Sequence, residues 1–187
     1  MSLNHVKKTA AALAVAALAL AASTAQAYQQ TLDVTGIESF DALGDPGNEL
    51  CYLDLFAGAR VTGLSWNVSL FADAPSWLSE ISVDFNDGGM AGVFLSPAFG
   101  DSRPGVGSYV GSADLVALGS DFTVGSTGRL FLEFYERFDD FTGATDGVWR
   151  SGSLTVTYVP EPTSFALAGI ALLGLGAASR RSRQPQS

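Results

Sequence analysis

The chain has 187 residues, of which 47% are hydrophobic and 16% are charged. This composition excludes a wholly disordered protein, and the length suits one domain with additional segments. The 19 acidic and 10 basic side chains give a net charge of −9, a sign opposite to that of a general nucleic-acid binder. We therefore expect no nucleic-acid partner.

Residues 1–27 have the three parts of a secretory signal peptide. Two lysines come first, and thirteen apolar residues, 10–22, follow them. Ala25 and Ala27 then form the small-x-small pattern that signal peptidase reads. A membrane span needs about 20 apolar residues, so the run is short for an uncleaved anchor. We expect export through the Sec machinery and cleavage by signal peptidase.

Residues 159–187 form a second distinct segment, in which a proline-rich motif precedes an apolar run and a basic end. The motif residues are Val159, Pro160, Glu161 and Pro162, and the basic residues are Arg180, Arg181 and Arg183. Between them, residues 163–179 carry no charge and span about 25 Å as a helix, enough for a thin membrane core. The arginines would face the cytoplasm. A buried helix of the folded domain is the alternative, which the low polarity all round this helix disfavours.

This tail resembles the PEP-CTERM sorting signal over about 28 residues from Val159 onward. The resemblance implies that an exosortase, a cysteine-dependent integral-membrane enzyme, recognises Pro160, Glu161 and Pro162 and cuts near them. It also implies a Gram-negative bacterium that makes exopolysaccharide and a biofilm or floc matrix. The exported chain would be an inner-membrane intermediate first, and would then reach the cell surface or extracellular matrix. A plain membrane anchor remains the alternative.

Between the two ends lies a passenger domain, residues 28–158. Residues 28–159 hold eighteen acidic side chains and five arginines, a net charge of −13, and contain neither lysine nor histidine. Such a charge favours solubility and repels nucleic acid and anionic lipid headgroups.

Apolar and polar residues alternate along the passenger with a period of two, which indicates half-buried strands. The clearest segments are residues 64–70, 81–85 and 153–158, and further candidates are 50–56, 91–95, 121–124 and 129–136. Glycine, proline and aspartate separate these segments, and none has a convincing helical period. We predict an all-β passenger, an antiparallel β-sandwich of jelly-roll type. A signal helix and a single transmembrane helix would flank it.

Loosely over residues 59–158, the passenger is also similar to the proprotein-convertase P domain. The segments that carry this similarity are 61–71, 75–81, 94–97, 128–134, 138–140, 146–149 and 152–156. The resemblance implies a jelly-roll sandwich that often binds calcium and accompanies secreted proteins.

The absence of histidine from the passenger disfavours a Ser-His-Asp triad, a Cys-His pair and a histidine-ligated zinc site. Carboxylate catalysis remains, but Glu133 and Glu136 are three residues apart and would point to opposite faces of a strand. We therefore expect no enzyme, with a carboxylate-dependent glycan hydrolase as the remaining alternative. Cys51 shares a strand face with Leu53 and Leu55, which favours a buried thiol over an intermolecular disulfide.

Three carboxylates, Asp139, Asp140 and Asp146, lie in one loop between two strong strand candidates. Calcium prefers six to eight oxygen ligands, so this loop is a candidate calcium site and no other cofactor is expected. The alternative is an acidic loop that only meets solvent.

Four aromatic residues, Trp77, Tyr109, Phe141 and Trp149, lie in or near predicted loops. Aromatic faces beside acidic hydrogen-bond acceptors suit stacking on polysaccharide, although core positions at the rim of a sandwich explain them equally well. We expect an exported structural or adhesive component of an exopolysaccharide matrix. A calcium- or carbohydrate-binding module is the alternative.

Overall fold

The computed structural model describes residues 26–140 and 143–160, which belong to one unit of the chain, Gln26–Glu161. In this described part there are ten strands and one short helix. The strands are β1 (Tyr28–Asp33), β2 (Ile37–Ser39), β3 (Glu49–Asp54), β4 (Arg60–Ala72), β5 (Ile81–Asn86), β6 (Gly92–Leu95), β7 (Gly105–Asp114), β8 (Phe122–Thr123), β9 (Arg129–Glu136) and β10 (Gly147–Val159). The helix, α1 (Leu115–Leu118), follows β7 directly.

The strands form two antiparallel sheets. Sheet A has the order β1-β10-β4-β7, with β2 paired to β10 and β8 paired to β4. Sheet B has the order β3-β9-β5-β6. The predicted all-β passenger with antiparallel sheets is confirmed.

A shared hydrophobic core lies between the inner faces of the two sheets. Phe134 from sheet B and Trp149 from sheet A meet edge to face, with ring centroids 5.3 Å apart. Both side chains are fully buried. The geometry suits the quadrupoles of aromatic rings, and the burial removes a large apolar area from water.

All seven predicted strand segments contain strands, because each has a face that is at least partly buried and that the period-two pattern marks. The predicted and observed strand boundaries differ: β3 ends at Asp54, before the end of the predicted segment 50–56, and β8 has only two residues within the predicted segment 121–124. Strands β1, β2 and β7 were not predicted. In β7, Gly107 lies against the ring of Tyr109 and Gly111 against the indole of Trp66, so neither position has room for a Cβ atom. Glycine lowers strand propensity and has no side chain to show the alternation of apolar and polar residues, so the sequence pattern did not indicate this strand.

The outer face of sheet A carries several small hydroxyl side chains. One row crosses four strands and consists of Thr31, Thr155, Ser65 and Ser112. Within it, the hydroxyls of Thr31 and Thr155 are hydrogen-bonded at 2.8 Å. Ser65 and Thr155 belong to the polar half of the alternation on which the predictions of β4 and β10 rested.

The helix α1 was also not predicted, because it has only four residues. Asp114 caps its start by accepting hydrogen bonds from the N–H groups of Val116 and Ala117, and Gly119 ends it with φ at +67°. No helix within residues 26–140 and 143–160 is both long enough and apolar enough to cross a membrane. The predicted signal peptide covers residues 1–27, of which 1–25 lie outside the described part, and the predicted transmembrane helix, residues 163–179, lies wholly outside it.

Candidate functional site

A pocket of about 260 Å³ lies where three inter-strand segments meet, and three of its eight lining residues are aromatic. We call it the aromatic pocket. Its lining residues are Trp77, Ser79, Glu80, Phe99, Gly100, Ser102, Arg137 and Phe138. They come from the β4–β5 connection, from the β6–β7 connection and from the residues that follow β9.

Backbone hydrogen bonds join these segments. The N–H of Leu78 donates to the carbonyl of Arg103 at 3.0 Å, and the N–H of Ser79 donates to that of Asp101 at 3.1 Å. The N–H of Arg137 donates to the carbonyl of Glu80, also at 3.1 Å. Paired backbone groups hold loops in place, so the pocket wall is built from mutually fixed segments.

The carboxyl group of Glu80 forms the polar part of the wall. Its Oε2 accepts a hydrogen bond from the N–H of Trp77 at 2.7 Å, and the residue is only 8% exposed. Burial raises the pKa of Glu80, and the charges of Asp140 and Asp146 add to that rise, while the bond from Trp77 opposes it.

Behind Glu80 lies a fully buried carboxyl group, Glu136, at the end of β9. Neither of its oxygens has a hydrogen-bond partner. Burial raises the pKa of Glu136 to about 9, with further contributions from the negative charges of Asp146, Glu80 and Asp140. At neutral pH this group is therefore a neutral carboxylic acid, because ionisation inside the protein is unfavourable. Glu133 lies on the outer face of the same strand, so the expectation that the two glutamates face apart agrees with the structure.

The three candidate calcium ligands occupy different environments. Asp146 is buried and its Oδ2 accepts the N–H of Asp140 at 2.8 Å, whereas Asp139 and Asp140 are exposed. In the part of the chain that the structure describes, no three or more Asp, Glu or Cys side chains are grouped closely enough to hold a metal ion. Calcium binding by these aspartates stays a prediction.

The four aromatic residues that were expected in or near loops also occupy different environments. Trp149 is fully buried in the core, so of the two roles left open for it the structure shows the core position. Tyr109 is half-buried and its hydroxyl donates to Asp101 at 2.7 Å. Trp77 is 44% exposed and lines the aromatic pocket. Phe141 lies outside the described residues.

Cys51 is half-buried and packs against the core on the inner face of β3. Burial raises the pKa of its thiol, and the charge of Glu49 adds to the rise. A thiol in this state is a weak nucleophile, in agreement with its expected role as a small apolar side chain.

Both predicted processing sites border the same end of sheet A. Strand β1 begins at Tyr28, one residue after Ala27, and β10 ends at Val159, one residue before Pro160. The other sorting residues, Ala25, Glu161, Pro162 and the three tail arginines, lie outside the described residues. The folded part thus occupies the stretch between the two expected cuts.

Of the eight residues that line the aromatic pocket, the sequence analysis singled out only Trp77 as a candidate. Phe99 and Phe138 are 83% and 67% exposed, and Glu80 and Phe138 were noted only as part of the P-domain resemblance. A phenylalanine beside glycine or aspartate in a turn is a usable signal, but only the folding of three separate segments brings these residues together.

Comparison with known proteins places one motif on the chain. The family described as the PEP-CTERM protein-sorting motif matches residues 159–181. This motif indicates a secreted protein that is processed by exosortase, a membrane enzyme. It implies export and membrane-associated processing before display at the surface or outside the cell.

No curated protein matches the chain. Two solved viral structures are weakly similar. The infectious bursal disease virus VP2 subviral particle has 14% identity over 72% of this chain and 33% of that chain, with a TM-score of 0.31. Tomato aspermy virus has 11% identity over 81% of this chain and 93% of that chain, with a TM-score of 0.28. The chain spans about a third of the length of the VP2 chain.

Proposed function

We propose that the passenger is a structural or adhesive component of an exopolysaccharide matrix, freed from the membrane by exosortase. One observation carries the proposal: the sorting motif begins at residue 159, where the last strand of the passenger ends. A cut near Pro160, Glu161 and Pro162 would leave β10 whole. Removal of the signal peptide after Ala27 would likewise leave β1 whole, since that strand begins at Tyr28.

The tail would hold the chain in the inner membrane until this cut. Residues 163–179 are uncharged and the arginines follow them, which supports a membrane-spanning intermediate. The net charge of −13 on residues 28–159 supports a soluble passenger after release.

We further infer that the passenger is a jelly roll. Eight strands are divided four and four, in the orders β1-β10-β4-β7 and β3-β9-β5-β6. Chain neighbours such as β3 and β4 lie in opposite sheets, and the first and last strands pair. Two interleaved four-stranded sheets of this kind support the jelly-roll assignment. The similarity to P domains stays a prediction.

Our proposal assigns the passenger no catalytic activity. The most tempting carboxylates do not share a cleft, because Glu136 is closed inside the core and Glu133 lies on the outer face of β9. A glycosidase needs two carboxyl groups on either side of one bond, about 5–9.5 Å apart. This separation supports a binding or structural role.

The sorting step is tested by the variant Glu161→Ala, expressed in the native cell. We expect the wild-type chain to reach the matrix as a species from about Tyr28 to Pro160, as measured by intact mass, and the variant to stay with the membrane. Glu38→Ala, an exposed glutamate of the passenger, is the matched control and should be released normally. Release of the Glu161 variant at the wild-type rate, or a matrix species that keeps Arg180, would contradict the proposal.

The matrix role is tested separately. A strain without this protein should form a matrix that detaches under weaker shear, and the wild-type chain should restore it. Unchanged attachment would overturn the structural or adhesive role while leaving the sorting step intact.

A further inference from the structure

Three large aromatic rings in the aromatic pocket are exposed to solvent, although the loops that carry them do not need aromatic side chains at exposed positions. Trp77, Phe99 and Phe138 are 44%, 83% and 67% exposed, and all three line the same 260 Å³ space. Exposed aromatic residues gathered around one concavity mark a binding surface more often than isolated ones do. The C–H faces of a sugar ring are apolar and pack against such rings, while its hydroxyls need polar partners at the edge.

The pocket supplies both hydrogen-bond donors and hydrogen-bond acceptors as polar partners. Glu80 offers a carboxyl group from the wall, and its position is held by the hydrogen bond from the Trp77 N–H. The guanidinium of Arg137 carries N–H donors; its Cζ lies 5.8 Å from the ring centroid of Phe94, and within residues 26–140 and 143–160 it forms no ion pair with a carboxylate. Ser79 and Ser102 add two hydroxyls, each able to donate and accept.

The charge of the pocket selects the kind of sugar. One carboxyl group and one guanidinium balance each other, so the lining has no net charge when both are ionised. Residues 28–159 carry −13, which repels an anionic polysaccharide as a whole. An uncharged sugar avoids that repulsion and uses both hydrogen-bonding groups.

We propose that the aromatic pocket binds a neutral hexose unit of a polysaccharide, with its ring faces on Trp77, Phe99 and Phe138 and its hydroxyls on Glu80 and Arg137. This inference rests on the proposed matrix role and names the class of ligand that the passenger holds. The pocket volume lies just below that of sites for drug-sized ligands, which suits one sugar unit of a chain that continues across the surface.

The test uses the full-length chain in detergent, so that a failure of exosortase processing does not affect it. Binding to dextran, amylose and laminarin is measured by retardation in affinity gels. We expect retardation by at least one of these neutral glucans, largely unchanged between low and high salt, because no ion pair between protein and sugar is involved.

Substitution then locates the site. We expect Trp77→Ala and Phe99→Ala each to weaken the affinity about tenfold through the loss of one stacking ring. Tyr52→Ala is the matched control, because Tyr52 is an aromatic residue of β3, 54% exposed, and β3 contributes nothing to the pocket. Its affinity should equal that of the wild type.

Two outcomes would overturn the inference: no retardation by dextran, amylose or laminarin, or equal retardation of the wild type and Trp77→Ala. Thermal melting of each variant shows whether it is folded. If Trp77→Ala does not fold, Phe99→Ala, whose side chain is almost fully exposed, decides the question alone.

Discussion

Tyr28, the first residue of β1, pairs in register with Tyr158 near the end of β10, and their rings stack with centroids 5.9 Å apart. Phe56 meets the ring of Tyr28 edge to face at 5.3 Å. These three rings close the end of sheet A at which the chain both enters and leaves the passenger. The cluster therefore anchors the strand ends that lie beside the two expected cuts.

We expect Tyr158→Ala to lower the free energy of unfolding by about 3 kcal/mol, because the ring is nearly fully buried and holds β1 to the sheet. Urea unfolding gives the energy, and amide hydrogen exchange at residues 29–33 gives the loosening of β1. The exposed Tyr52→Ala should change stability by about 0.5 kcal/mol or less. Unaltered exchange in β1 would contradict the anchoring role of the cluster.

The burial of Trp149 predicts a second large effect. Trp149→Ala removes a fully buried side chain and its edge-to-face contact with Phe134, so we expect a loss of about 3–5 kcal/mol in urea unfolding. Trp77→Ala, at a residue that is 44% exposed, should lose much less. Equal losses for the two tryptophans would show that Trp149 is not part of the core.

The buried carboxyl group of Glu136 predicts that stability falls as pH rises. In the folded state its pKa is raised to about 9, against 4.5 for an exposed glutamate. Between these values the folded protein keeps a proton that the unfolded chain has released, so unfolding becomes easier with each increase in pH. One such group accounts for a slope of at most about 1.4 kcal/mol per pH unit.

Glu136→Gln replaces this acid by a neutral side chain of the same shape. We expect the free energy of unfolding of the variant to fall less steeply between pH 5 and pH 9, because the contribution of Glu136 is missing. Urea unfolding at each pH measures this slope. Glu49→Gln, at an exposed position, should retain the wild-type decline. A Glu136→Gln variant with the full wild-type slope would show that this carboxyl group does not titrate as a buried acid.

Gly152 lies in β10 just after a register shift, with φ at +113°. A Cβ atom there would collide with the carbonyl oxygen of Asn67 on β4. Gly36 also has a positive φ, +85°, but a Cβ atom there meets nothing within 4 Å. A comparison of substitutions at the two glycines therefore distinguishes the cost of backbone strain alone from the cost of strain together with a steric clash.

We therefore expect Gly36→Ala to cost about 1–2 kcal/mol, the strain of the left-handed region alone, and Gly152→Ala to cost clearly more. Thermal or urea unfolding of the two variants gives the comparison. Equal losses would mean that β4 and β10 separate easily at Asn67, against the close approach seen in the structure.

Strand positions were predictable because their signal is local. Leu64, Trp66, Val68 and Leu70 alternate with small polar residues, and that alternation alone indicates a strand with one buried face. The same logic failed for β7, where Gly107 and Gly111 carry no side chain to alternate. Their role depends on Tyr109 and on Trp66 from the neighbouring strand.

The sequence by itself determined the sorting motif that matches residues 159–181, while the signal peptide stays a prediction. Membrane enzymes read such segments as short linear patterns, so no folding is needed to identify them. It also determined the all-β class, since the period of two belongs to the backbone of a strand.

Only the tertiary structure decided which residues meet. It buried Trp149 against Phe134, closed Glu136 inside the core, and gathered Trp77, Phe99 and Phe138 around one pocket. The residues of that pocket are separated by up to about sixty positions in the chain. Their proximity comes from the pairing of distant strands, which depends on the free energy of the whole core and leaves no local pattern to read.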